Sequence, residues 1–245
     1  MMHARKSLLS LAVLMALSGA AMADDSTVNT TQDGSSNALN VDQQGATQST
    51  VNINQKGSQN TAGIPAAGRY SGAAISQTAS YSTLNINQSG NYNSAAAKQS
   101  GNNNSGAITQ TGGSYVLGQS ATLDQSSAYN TATIGQASNT RTSASITQGN
   151  GNNNTATTSQ TGNGNGTGAA ISQSGNYNLA SVTQQGNSSF ISGTVNQTGN
   201  SNTGSVLQLN STYAVTGKVD QNGNNNLGNV QQNGASASTV TRAIS

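Results

Sequence analysis

Residues 93–110 read NSAAAKQSGNNNSGAITQ, and this stretch decides the fold. In an extended strand alternate residues share a face, so Ala95, Ala97 and Gln99 point one way and Ala96 and Lys98 point the other. A cluster of Gly and Asn follows, and because these residue types tolerate positive φ, the chain can reverse tightly there. The stretch therefore predicts a strand, a tight turn and a second strand.

The same phrase recurs along almost the whole chain from Gln32 onward. An apolar residue usually precedes each glutamine by two positions, Ala or Gly precedes it by four, and Ser, Thr or Asn precedes it by six. A period of two inside a period of about eleven residues is typical of a solenoid rather than of a globular domain. We therefore expect an all-β solenoid, a cross-β stack of strand-turn-strand repeats with about 22 residues in each two-strand unit.

The repeat glutamines are expected to point inward and to stack. A buried amide without partners costs roughly 1–3 kcal/mol, whereas in a ladder each amide donates to one neighbour and accepts from the other. Most charged residues lie at odd offsets from a glutamine, which is the outward set; the degenerate last strand at residues 236–245 is the exception, with Arg242 expected in the glutamine position. The predicted structural ladder consists of Gln32, Gln43, Gln55, Gln77, Gln88, Gln99, Gln110, Gln125, Gln136, Gln148, Gln160, Gln173, Gln184, Gln197, Gln208, Gln221 and Gln232.

One wide gap in the glutamine series, between Gln55 and Gln77, carries its own prediction. Residues 60–68 fit the phrase with Ala66 in place of the glutamine and Pro65 pointing outward. Because proline lacks a ladder donor, we expect a separate strand there that is weaker than its neighbours. With this strand the expected total is about nineteen strands, since one strand is counted for each copy of the phrase.

The first residues of the chain differ from the rest. A basic start, an apolar run over Leu8–Leu17 and an A-x-A site at residues 21–23 predict a secretory signal peptide over residues 1–23, too short in its apolar part to span a membrane. Residues 24–245 are predicted to form one solenoid of tandem repeats. No apolar tail follows Arg242, so no transmembrane anchor is expected.

Composition excludes most kinds of ligand and of catalysis. The predicted leader holds Arg5 and Lys6, so the remaining Lys and Arg balance the 6 Asp and no cationic patch is expected for nucleic acid or an anionic membrane. After the leader the chain has no His, Cys, Glu or Trp. The chain after the leader thus lacks almost all of the side chains that could serve as a general base, a thiolate nucleophile or ligands of a soft metal. The sequence predicts a non-enzyme without catalytic residues, metal or cofactor.

The phrase Ser/Asn-x-Ala-x-Ile-x-Gln-x-Gly-x-x-Asn-x-Ala-x-x-x-Gln closely resembles the curlin repeat of bacterial curli subunits. It is seen in residues 82–99 and, with small length changes, in residues 178–197. The resemblance covers nearly all of the chain after the leader. It implies a secreted subunit that passes an outer-membrane channel and self-assembles into extracellular amyloid fibres on the bacterial surface, for biofilm matrix and adhesion. A nucleator subunit and accessory secretion factors are the other partners that it implies.

Two departures from the curlin pattern leave alternatives open. Curlin major subunits usually carry a short non-repeat segment after the signal, whereas the phrase begins by Ser26 in this chain. The chain also has more repeats than the best-known curlins. A minor or nucleating curlin subunit and a non-polymerising secreted β-solenoid adhesin are therefore alternatives, although the regular glutamine series favours the self-polymerising subunit.

Overall fold

A computed structural model describes residues 25–63, 75–113 and 118–245. Every regular element in these residues is a β-strand, and the chain alternates between two parallel sheets. It runs along one sheet, turns, runs back along the other and returns to add the next parallel strand. The predicted all-β solenoid is confirmed. The predicted leader, and Pro65 with Ala66, lie outside the described residues.

The two sheets are built from short strands of nearly constant length. Sheet A has 9 strands in the order β1-β4-β7-β9-β11-β13-β15-β17-β19, and sheet B has 11 segments in the order β2-β5-β8-β10-β12-β14-β16-β18-β20, with β3 and β6 beside them. The strands are β1 Thr27–Asp33, β2 Ala38–Leu39, β3 Val41–Asp42, β4 Thr50–Ser58, β5 Thr61–Ala62, β6 Ile75–Gln77, β7 Thr83–Asn91, β8 Ser94–Gln99, β9 Ser105–Thr111, β10 Ser120–Gln125, β11 Thr131–Ala137, β12 Ser143–Gly149, β13 Thr155–Thr161, β14 Gly168–Ser174, β15 Leu179–Gln185, β16 Ser192–Thr198, β17 Thr203–Leu209, β18 Thr216–Asn222, β19 Leu227–Asn233 and β20 Thr239–Ile244.

Equivalent residues of successive coils stack in columns, which run along the solenoid axis. Gln88 and Gln110 are 22 residues apart, Gln110 and Gln136 are 26 apart, and Gln136 and Gln160 are 24 apart. Most of the later partners are also separated by 24 residues. The unit is thus about 24 residues rather than the expected 22, because the turns vary in length while each strand keeps its pairing with the strand below.

Most of the strand predicted at residues 60–68 lies outside the described residues, and only its first part, β5, is described. The short strands β5 and β6 pair with the two ends of β8, with Ala62 beside Ala95 and Gln77 beside Gln99. They are two parts of one strand, and the chain between them is an insertion in the repeat. Strands β2 and β3 share a rung in the same way, so the described residues form nine rungs in each sheet.

The last strand also lies in a different register from the expected one. In β20, Ile244 lies beside Gln221 and Arg242 lies beside Val219. Arg242 therefore occupies an apolar column, and the glutamine position belongs to Ile244. The degenerate strand covers Thr239–Ile244, and five of its six residues are exposed.

Across the interior, the fourth residue before each glutamine faces the apolar residue of the other sheet. A Cβ added at Gly106 would lie 2.7 Å from Leu123 Cδ2, and one added at Gly204 would lie 2.8 Å from Val195 Cγ1. Such glycines make room for the aliphatic side chains opposite them. The interior is therefore thin and filled by one inward face from each sheet.

Turns stack as closely as strands do. Gly175 has φ of +108°, and a Cβ added there would lie 2.0 Å from the carbonyl oxygen of Gly199 in the next turn. Gly162 also has positive φ, at +63°, but nothing lies within 4 Å of its added Cβ. Backbone conformation thus favours glycine at both positions, and close approach of the next coil demands it only at Gly175.

These two glycines form a matched pair for mutation. We expect Gly162→Ala to lower the free energy of unfolding by about 1–2 kcal/mol, the cost of the left-handed conformation for a residue with Cβ. Gly175→Ala should cost roughly 1–3 kcal/mol more, because the stacked turn must move. Denaturant titration followed by circular dichroism measures both. Equal losses in the two variants would contradict close stacking of the turns.

Thr158 gives a second test of the interior. It lies in an apolar column between Ile134 and Val182, is 1% exposed, and its Oγ1 has no hydrogen-bond partner. We expect Thr158→Val to raise the free energy of unfolding by about 1–3 kcal/mol, since it removes an unsatisfied buried hydroxyl at constant shape. The exposed Thr147, changed to Val, is the control. A Thr158→Val protein no more stable than wild type would show that this hydroxyl costs nothing.

Candidate functional site

The inward glutamines form one column of amides in each sheet. Gln110 Nε2 donates to Gln136 Oε1 at 2.9 Å, and Gln136 Nε2 donates to Gln160 Oε1 at 2.8 Å. Every bond of both columns runs from the earlier glutamine to the later one. The sheet A column contains Gln32, Gln55, Gln88, Gln110, Gln136, Gln160, Gln184, Gln208 and Gln232, and the sheet B column contains Gln43, Gln77, Gln99, Gln125, Gln148, Gln173, Gln197 and Gln221.

The second N–H of most of these amides donates to a backbone carbonyl of the other sheet. Gln173 Nε2 donates to the carbonyl oxygen of Thr155 at 3.0 Å, and Gln184 Nε2 donates to that of Gly168 at 2.9 Å. Each of these carbonyls belongs to the first residue of the facing strand. Both N–H groups and the oxygen of such an amide are then bonded, so its burial carries no unpaired polar atom. The sequence analysis missed this cross-sheet bond, because the repeat pattern predicts which residues stack within one sheet and not which backbone groups of the other sheet lie opposite them.

Asparagines at the strand starts form a further ladder, which was also missed. Asn154 Oδ1 accepts from the backbone N–H of Asn178 at 2.9 Å, and Asn154 Nδ2 donates to the Gly175 carbonyl at 2.7 Å. Its side chain is fully buried. The sequence signal was present as the Asn that precedes many repeat glutamines by six residues. Before strands of sheet A, the members with the same backbone contact are Asn104, Asn130, Asn154, Asn178 and Asn202. Before strands of sheet B, they are Asn37, Asn60 and Asn93.

Charged side chains lie mainly on the outer faces. Lys98 is exposed although its neighbours Ala97 and Gln99 are buried. Lys218 Nζ lies 2.7 Å from Asp220 Oδ2. Slight burial raises the pKa of Asp220, but hydrogen bonds from Lys218 and Asn196 and the charge of Lys218 outweigh it, so the net pKa is lowered. The carboxylate is therefore ionised at neutral pH.

The described residues hold no group of three or more His, Cys, Asp or Glu residues that could bind a metal ion. In the same part of the chain, no helix is long and apolar enough to cross a membrane. What the described residues do present is a continuous set of amide ladders. Such an arrangement binds one coil to the next, and its chemistry is hydrogen bonding between copies of one repeat.

Neighbouring glutamines of β15 allow a test of the ladder. Gln184 is fully buried and bonded to Gln160, Gln208 and the Gly168 carbonyl, whereas Gln185 is exposed. We expect Gln184→Leu to lower the free energy of unfolding by roughly 1–3 kcal/mol for each partner left unpaired. Gln185→Leu should stay within about 0.5 kcal/mol of wild type, as surface substitutions usually do. Similar stabilities of the two variants in denaturant titrations would show that the ladder contributes little.

Comparison with known proteins agrees with this geometry. The family model described as the curlin associated repeat matches residues 82–112 and 151–186. The first match spans β7 to β9 and the second spans β13 to β15, so each covers a strand-turn-strand unit and the strand that stacks on it. The comparison with curated proteins gives no match. The chain carries curlin repeats at these residues, and the predicted resemblance to the curlin-repeat family is confirmed.

Proposed function

We propose that the chain is a self-polymerising structural subunit of an extracellular, curli-type amyloid fibre. The curlin repeat and the β-solenoid support a curli-type structural subunit. The observation that carries self-polymerisation is that both sheets end in uncovered strands. Strand β1 is the first and β19 the last in the order of sheet A, so each has a backbone edge available to another chain.

Uncovered edges matter because the outer edges of β1 and β19 pair with no other strand of the described residues. Each coil contacts only its neighbours, so a further coil can come from the same chain or from another copy. Parallel, in-register strands of identical phrase are the arrangement that adds copies most readily. The ladder glutamines would then serve as the cohesive residues of the fibre as well as of the subunit.

Export and location follow from the same proposal. We infer that residues 1–23 are a signal peptide, that residues 24–245 are the secreted repeat domain, and that the fibre forms on the bacterial surface as biofilm matrix and adhesive. An outer-membrane channel, accessory factors and a nucleator subunit are the partners that the curlin resemblance supports. The non-enzymatic role is supported by the structural character of the curlin family.

Purified residues 24–245, diluted from denaturant, should convert from coil to β-rich fibres. Fibre diffraction should show reflections at about 4.8 Å and about 10 Å, the spacings between strands and between sheets. Circular dichroism follows the conversion, and electron microscopy shows the product. A protein that folds and stays monomeric for days would contradict the proposal.

A pair of variants controls for non-specific aggregation. Ile146→Lys places a charge in the buried apolar column of β12, while Thr147→Lys places it on the exposed face of the same strand. Only the first should slow conversion strongly, since an unpaired buried charge is costly. Equal rates for the two variants would indicate aggregation that does not use this fold.

A further inference from the structure

The two ends of the solenoid differ in hydrogen-bonding chemistry. Each ladder glutamine donates toward the C-terminal end, so the columns begin with the oxygens of Gln32 and Gln43. Within the described residues, neither of these oxygens accepts a hydrogen bond. At the other end of sheet A, Gln232 Nε2 donates to the Thr216 carbonyl at 3.1 Å, and within the described residues its second N–H has no acceptor. The donor end of one copy can therefore bond to the acceptor end of another copy, whereas two donor ends or two acceptor ends cannot bond to each other.

The sheet A half of such a junction continues the glutamine column, while Thr30 would lie on Val230 in the apolar column. If β1 of a second copy adds to β19 in the register of the sheet, Gln32 lies on Gln232 and Val28 lies on Gly228. Gln232 can then donate to Gln32 as each earlier glutamine donates to the next. On the outer face, Asn29 meets Asn229, which extends a column that is already bonded between Asn29 and Asn52.

The sheet B half of the junction does not match. The column that contains Val195 and Val219 ends at Arg242, and the glutamine column ends at Ile244. The same register would place Val41 of the second copy on Arg242 and its Gln43 on Ile244. Gln43 Oε1 would then meet an aliphatic side chain instead of an amide donor.

The charges of the two ends favour head-to-tail contact between copies, but the charge of Arg242 opposes strand pairing in sheet B. The first coil carries Asp25, Asp33 and Asp42 without any Lys or Arg, and Arg242 is the only charged side chain of residues 227–245. An acidic end and a basic end attract each other at long range. Arg242 is exposed but occupies an inward register position beside Val219, however, and an inward charge on an end strand is a known protection against edge-to-edge pairing.

We propose that the C-terminal end docks the N-terminal coil of a second copy through β19, and that Arg242 and Ile244 on β20 slow this addition. This inference rests on the proposed self-polymerisation. The partner is another copy of this chain, joined donor end to acceptor end. The slow step is pairing of β20 with the first sheet B strand of the incoming copy. In this step the charge of Arg242 has to move out of the apolar column, and Gln43 Oε1 receives no hydrogen bond because Ile244 has no donor.

Seeded elongation tests the proposal. The double variant Arg242→Val with Ile244→Gln restores both columns, and fragmented fibres of each protein are elongated with monomer of the same protein. We expect elongation on the order of tenfold faster than wild type, the change that about 1.4 kcal/mol produces. Arg242→Lys keeps the inward charge and should elongate at the wild-type rate.

The control is Thr241→Val with Ala243→Gln, which makes similar changes on the outer face of β20 and should leave the rate unchanged. If wild type polymerises and the restoring variant elongates no faster, the role of β20 is disproved while the proposed function stands. Equal acceleration in the restoring and control variants disproves it too, because hydrophobicity rather than register would be responsible. A wild type that forms no fibres disproves both proposals.

Discussion

The structure depends on the three hydrogen bonds of the inward glutamine amide. One comes from the rung below, one goes to the rung above and one crosses to the facing strand. A thin interior of two sheets cannot surround each coil with apolar side chains, so a large part of the core is polar. Such a core is stable when nearly all of its amides are paired, and the ladder bonds form only between stacked coils. A single repeat therefore has no stable structure of its own.

This constraint explains where the chain tolerates irregularity. Spacing between stacked glutamines changes from 22 to 26 residues in successive coils because turns absorb the difference. An insertion even separates β5 from β6, yet both remain paired with β8. The strand phrase varies less, since each inward position must match the residues above and below it. Where a turn is packed by its neighbour, as at Gly175, the turn is constrained as well.

The same constraint links the fold to assembly. A ladder has a direction, so the ends of the solenoid are chemically distinct although the coils are alike. Addition of a copy is favourable where its side chains continue the inward columns of the subunit already in place. It is costly where a column ends in a residue of a different type. The C-terminal strand β20 interrupts two columns of sheet B while β19 leaves sheet A open. Cohesion within the subunit and control of its growth thus come from the same few inward positions.

The sequence by itself determined the fold class and the face that each side chain takes, because a period of two is a local property of a strand. It also predicted a ladder of the glutamines that end each phrase. Only the tertiary structure decided which copies stack. It merged β5 and β6 into one rung and moved Arg242 to an apolar column. It also paired glutamine amides with carbonyls of the facing sheet. Those outcomes depend on register between strands far apart in the chain, and local pattern carries no information about register once turns vary in length.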